Sequence, residues 1–253
     1  MSNLAPHLSF SPSPTALQSK VILVTGAGDG IGKTAALTYA SLGATVILLG
    51  RTVEKLEGVY DQIVAAGHPQ PSIVPMDLAG ATAQHYQGLA DTINGEYGKL
   101  DGVLLNAGIL GALCPFAEIK SKEYDNVMQV NVNSQFYLLQ ALLPLLKHNK
   151  TASVIFTSSG VGRVGRAFWG TYSISKFATE GMMQVLADEF KNSGLRFNCI
   201  NPGATRTDMR AKAYPAEDAL LLKTPEDIMA TYTYLMADDS MGITGQSLDC
   251  QPK

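Results

Sequence analysis

The chain has 253 residues, 46% of them hydrophobic and 16% charged, with a formal net charge of −3. That length buries a core without metal or disulfides and suits one α/β domain, while the absence of a basic stripe or polybasic block argues against a nucleic-acid partner and a charged membrane anchor. Cys114, Cys199 and Cys250 are odd in number and far apart, and His7, His68, His85 and His148 lack ligand spacing, so neither a disulfide framework nor a metal site is expected.

Residues 1–19 are rich in Ser and Pro, carry no Lys or Arg and hold no long apolar run. They read as a partly ordered arm rather than a secretory signal. The longest apolar stretch, 136–146, is interrupted by Gln140 and Pro144 and is too short to span a bilayer. A soluble cytoplasmic protein is expected. Over 20–253 two kinds of segment alternate. Short β-branched runs at 21–25, 45–49, 72–75, 102–105, 153–157, 196–200 and 246–249 read as buried parallel strands. Helical periodicity fills 31–42, 53–66, 83–97, 122–148, 172–191 and 225–236. This βαβα order predicts a single domain: an α/β, doubly wound parallel sheet of about seven strands with helices on both faces. The stretch 203–223 has no clear period and is expected to be a substrate-facing loop.

In such sheets ligands bind beyond the carboxyl ends of the strands, and the chemistry-bearing motifs all fall there. The first strand ends in Thr25-Gly26-Ala27-Gly28-Asp29-Gly30-Ile31-Gly32. Glycines at that turn let backbone approach a pyrophosphate, and the following helix offers free N–H groups and its positive dipole end. A competing reading exists, because Ala27 to Thr34 nearly matches a triphosphate P-loop in which Lys33 and Thr34 would serve phosphate and Mg²⁺. No strand-terminal acid supplies the second metal ligand, so the dinucleotide reading is preferred. The second strand ends in Gly50-Arg51-Thr52, where an NAD site would place Asp or Glu against the ribose 2′-hydroxyl. Nothing there repels a 2′-phosphate, and Arg51 and Thr52 can bind one, which predicts NADP(H) over NAD(H). Asp29 cuts the other way, because many NADP-preferring proteins with such a turn carry a basic residue at this place; the alternative is that Asp29 points at solvent or caps the helix.

The second half carries the stronger signal. Ser158 and Ser159 follow a strand, and thirteen residues after Ser159 comes Tyr172, with Lys176 at i+4 on a predicted helix. That spacing puts phenol and ammonium on one face. The expectation is a phenol whose pKa is lowered by the ammonium, hence a general acid/base, with a serine hydroxyl to polarise the reacting oxygen.

Together the glycine turn, the Asn106-Ala107-Gly108 triplet, Asn131, Ser159, the Tyr172/Lys176 pair and Pro202-Gly203 resemble the short-chain dehydrogenase/reductase family over residues 20–249. A finer resemblance is to the YciK-like branch, on Leu48-Leu49-Gly50-Arg51, Val130-Asn131-Val132-Asn133 and Phe177-Ala178-Thr179-Glu180-Gly181-Met182-Met183. The resemblance implies a Rossmann-type fold, a small carbonyl or alcohol substrate and a homodimer or homotetramer paired through the two long helices. It assigns the proton transfer to Tyr172, the nicotinamide ribose and tuning of Tyr172 to Lys176, the substrate oxygen to Ser159, and a proton-relay water to Asn131. It gives the coenzyme Gly26, Gly28, Asp29, Gly30, Ile31, Gly32, Arg51, Thr52, Asp77, Leu78, Asn106, Ala107, Gly108, Pro202, Gly203, Thr205 and Thr207, besides Tyr172 and Lys176. Leu110, Cys114, Phe168, Trp169, Met209 and Tyr214 are candidate substrate walls, and Arg163 or Arg166 could meet an anionic substrate group. The rival function is a dinucleotide-sensing protein without turnover.

Overall fold

The computed structural model describes residues 5–252; the first four residues of the expected arm and Lys253 lie outside the described residues. Seven strands, β1 (Val21–Thr25), β2 (Thr45–Gly50), β3 (Ser72–Pro75), β4 (Gly102–Leu105), β5 (Ala152–Thr157), β6 (Leu195–Asn201) and β7 (Ser247–Asp249), form one sheet in the order β3-β2-β1-β4-β5-β6-β7. Every pairing is parallel. The strand order reverses between β1 and β4, and the crevice above that point is where an open α/β sheet binds ligands.

The strands are apolar on both faces because both faces are covered. Along β1, Val21 and Leu23 join one core cluster while Ile22 and Val24 join the other; in β5, Val154 and Phe156 oppose Ile155 in the same way. This is the period-two alternation of a strand, with helices waiting on each side. Helices α3 (Ala83–Tyr97), α5 (Ser134–His148) and α6 (Gly170–Glu189) cover one face, and α1 (Gly30–Ser41), α2 (Val53–Ala65) and α8 (Met229–Met236) the other. No helix among the described residues is long and apolar enough to cross a membrane.

Three elements depart from the sequence reading. The helix expected over 122–148 is two helices, α4 (Ser121–Met128) and α5, joined by a π turn at Gln129–Asn133. The extra residue in that turn carries the fully buried Asn131, whose bonding to a neighbouring loop stabilises a distortion that periodicity does not reveal. The stretch 203–223 contains a short helix, α7 (Asp208–Ala213), capped by the Thr207 hydroxyl, which accepts from Arg210 N. It is tied further by Arg206, whose guanidinium donates to the carbonyls of Ala219, Leu220 and Leu222. The helix expected from 225 begins as a 3₁₀ turn, Glu226–Ile228, before α8.

The N-terminal segment packs from residue 5 onward. Leu17 is fully buried and its N–H donates to Leu42 O; the Phe10 ring meets Tyr234 edge-on at 5.3 Å; Thr231 donates to His7 O. Leu17 and Phe10 anchor this segment at the end of α1 and on α8.

Candidate active site

The carboxyl ends of β1, β4, β5 and β6 open into one cleft of about 600 Å³, and most of the expected site residues line it. At its β1 end Gly26 has φ +70°, and a Cβ on Gly32 would lie 2.1 Å from Gly26 O. Only glycine at both places lets α1 start this close to the strand. Asp29 caps α1, its carboxylate accepting from Gly30 N at 2.7 Å. Gly28 lies against Lys55 of α2, and the Lys55 ammonium pairs with the other Asp29 oxygen. That pairing holds the Asp29 carboxyl below the usual carboxylate range. The triphosphate reading fails on geometry: Thr34 is buried and donates to Glu226, and neither Thr34 nor Lys33 lines the cleft.

The loops after β1 and β4 are stitched together by Thr25, whose hydroxyl donates to Leu104 O and accepts from the Asn106 and Ala107 N–H groups. Asn106 Oδ1 in turn accepts from Thr157 at the end of β5. After β3, Asp77 forms a turn by accepting from Ala79 N, and Asp77 and Leu78 line the same cleft as Arg51 and Thr52. Beyond β6, Pro202, Gly203 (φ +75°), Thr205 and Thr207 form the opposite lip. Gln251 holds that lip, its amide donating to the carbonyls of Pro202 and Ala204.

Tyr172 and Lys176 project from α6 beneath Ser159. The turn carrying Ser159 is fixed on α6 by Ser173, which donates to Val161 O at 2.6 Å, and by Gly162, where a Cβ would press within 2.8 Å of Lys176 Cβ. Lys176 is buried, donates to Thr157 O at 2.7 Å and places its Nζ 5.5 Å from the Tyr172 ring centroid. Here the structure corrects the expectation of a depressed phenol. Burial pushes the Tyr172 pKa up to about 12, offset in part by a hydrogen bond with Ser159, and burial pulls Lys176 down to about 8. Tyr172 therefore keeps its proton at neutral pH, and Lys176 is the group whose charge changes first as pH rises.

Two expected residues act from behind the cleft rather than in its wall. Gly32 permits the turn, as above. Asn131 is fully buried, accepts from Ile109 N at 2.8 Å and donates to Ile109 O and Ser175 Oγ. Both of its amide hydrogens are taken, so the side chain fixes the β4 loop against α6. Among the candidate substrate walls, Leu110, Trp169 and Met209 line the cleft; Cys114, Phe168 and Tyr214 do not. Tyr214 stands behind Trp169, ring centroids 5.8 Å apart, and accepts from Arg166. Arg163 is turned away, its guanidinium bonded to Asp249 and Ser247 with Glu180 3.7 Å off. Lys55, Gln251, Ser173 and Gly162 were not singled out from sequence, since each works through a partner distant in the chain.

The short-chain dehydrogenase family model matches residues 20–218. This chain belongs to the short-chain dehydrogenase family. It is 55% identical over 245 residues to the oxidoreductase YciK of Escherichia coli, covering 97% of each chain, which sets it in the YciK-like branch. A short-chain dehydrogenase from Shigella flexneri, crystallised in complex with NADP, superposes with a TM-score of 0.93 at 55% identity, covering 95% of this chain and 100% of that one. One from Escherichia coli, in complex with NADPH, matches with the same score and coverage at 56% identity.

Proposed function

We propose that this chain moves a hydride between NADP(H) and a small carbonyl or alcohol, with Ser159, Tyr172 and Lys176 as its catalytic residues. The observation that carries the reading is a single cleft joining two parts. At one end the glycine turn sets the start of α1 close against β1 and in the cleft wall; at the other the Tyr172 phenol stands by Ser159 with the Lys176 ammonium 5.5 Å from its ring centroid. The coenzyme, when bound, supplies or accepts the hydride. Ser159 orients the substrate oxygen, and Tyr172 gives its proton to that oxygen during reduction. Lys176, held by Thr157 O, keeps positive charge under the phenol, where it favours the phenolate left after transfer. Turnover of aldehydes and ketones with NADPH tests this; tight coenzyme binding without turnover of any of them would favour the sensor instead.

The choice of NADP(H) rests on Gly50-Arg51-Thr52 at the end of β2 and on the coenzymes named for the Shigella and Escherichia relatives. Arg51→Ala should raise the Kd for NADPH about ten- to a hundredfold and leave that for NADH almost unchanged, because only the former carries the 2′-phosphate. Fluorescence titration with both coenzymes measures it, and tighter binding of NADH than NADPH by the unaltered protein would overturn the choice.

A homo-oligomer belongs to the same proposal. Phe136 is 50% exposed on α5, and Phe177 and Val185 are exposed on α6, although both helices already bury a full face. A closed symmetric pairing covers such residues. Light scattering should give at least twice the chain mass at micromolar concentration; a monomer alone would contradict it. The three free cysteines fit a cytoplasmic setting.

A further inference from the structure

We infer that Lys55 is a determinant of coenzyme specificity, tethered by Asp29 so that its ammonium faces the 2′-phosphate of NADP(H). The inference rests on the coenzyme reading above and adds to it a residue outside both the glycine turn and the end of β2. It also accounts for how an acid in that turn is compatible with a phosphate ligand.

Asp29 stands in the cleft wall together with Arg51 and Thr52. A bare carboxylate there would repel a phosphate carrying nearly two charges. Both of its oxygens are engaged, Oδ1 by Gly30 N and Oδ2 by the Lys55 ammonium, so its charge is offset by a cation in the same cleft wall. Asp208, at the start of α7, also acts on Lys55 electrostatically and adds to the field that holds the ammonium charged. Lys55 reaches this place because its stem lies over Gly28, where a Cβ would come within 3.0 Å of Lys55 Cβ. An ammonium has three donors, and Asp29 occupies one. The pair is open to solvent, with 53% and 57% of the two side chains exposed, so the remaining donors are accessible to a ligand in the cleft. Arg51, just after β2, and Lys55 of α2 thus both bring a cation to the wall of this cleft. The lysine stands in for a cation that the glycine turn itself does not carry.

Titration of NADPH and NADH against Lys55→Met and Asp29→Asn separates charge from packing. Methionine keeps the stem that lies over Gly28, and asparagine still caps α1. Lys55→Met should raise the Kd for NADPH about tenfold and barely change that for NADH. The loss should shrink in high salt, as it does for an exposed charge. In the Asp29→Asn background the same Lys55→Met change should cost several-fold less, because no carboxylate is uncovered. If Lys55→Met leaves NADPH affinity unchanged while Arg51→Ala weakens it, the inference fails and the coenzyme reading stands. Equal losses for both coenzymes would make Lys55 a structural residue and also end the inference. Preference of the unaltered protein for NADH would end both.

Discussion

Replacing Tyr172 with phenylalanine is expected to lower kcat by roughly 10²- to 10⁴-fold, with NADPH affinity near that of the unaltered protein. The substitution removes one oxygen and little else. The Tyr172 ring is buried, lies 5.9 Å from Trp169 and faces the Lys176 ammonium, and all three relations survive in phenylalanine. What is lost is the phenolic proton beside Ser159. Because burial holds the phenol near pKa 12, that proton is present at any physiological pH, so the deficit should be the same at pH 6 and pH 8. Ser159→Ala is the useful comparison. It leaves the donor in place but removes the hydroxyl that partly offsets the burial of the phenol, so its loss should be smaller than that of Tyr172→Phe. Single-turnover reduction alongside coenzyme titration distinguishes chemistry from binding. Turnover by Tyr172→Phe close to that of the unaltered protein would remove Tyr172 from the proton transfer.

The parts of this molecule that were legible in its sequence are those set by local constraint. Gly26 and Gly32 are demanded by a turn only seven residues long, and Tyr172 and Lys176 share a face because a helix repeats every 3.6 residues. The seven strands announce themselves as apolar runs because each is buried on both faces. What escaped reading depends on contacts between distant segments. The π turn at Gln129–Asn133 is invisible because Asn131 explains itself through Ile109 and Ser175, twenty-two and forty-four positions away. Asp29 looked like an obstacle to NADP(H) because its counter-charge, Lys55, stands twenty-six residues on. Arg163 looked available to a substrate until β7 supplied Asp249 and Ser247, eighty-six and eighty-four residues later. The direction of the Tyr172 pKa is the sharpest case. Sequence shows a nearby ammonium, whereas the direction is set by burial, a property of the whole fold, with the Ser159 hydrogen bond pulling against it.

That reversal leads to the second large effect, on pH dependence. For carbonyl reduction, kcat/KM should be flat from about pH 6 to 7.5 and fall about tenfold per unit above about 8, reaching roughly a hundredfold loss by pH 10. The sign follows from the two groups that must keep their protons. Tyr172 keeps its own until about 12, so it does not limit the alkaline side in this range. Lys176, pulled down to about 8 by burial, loses its charge first, and with it the field that favours the phenolate left after proton transfer. On the proposed mechanism the depressed lysine thus sets the limb, although the proton itself comes from the tyrosine. Lys176→Arg places a cation that does not titrate in the same position, and whatever rate it retains should show no fall near pH 8. A solvent-viscosity control separates chemistry from product release at each pH. A profile level from pH 7 to 10 in the unaltered protein would mean that the charge on Lys176 contributes nothing to the transition state, and its place under Tyr172 would then be structural.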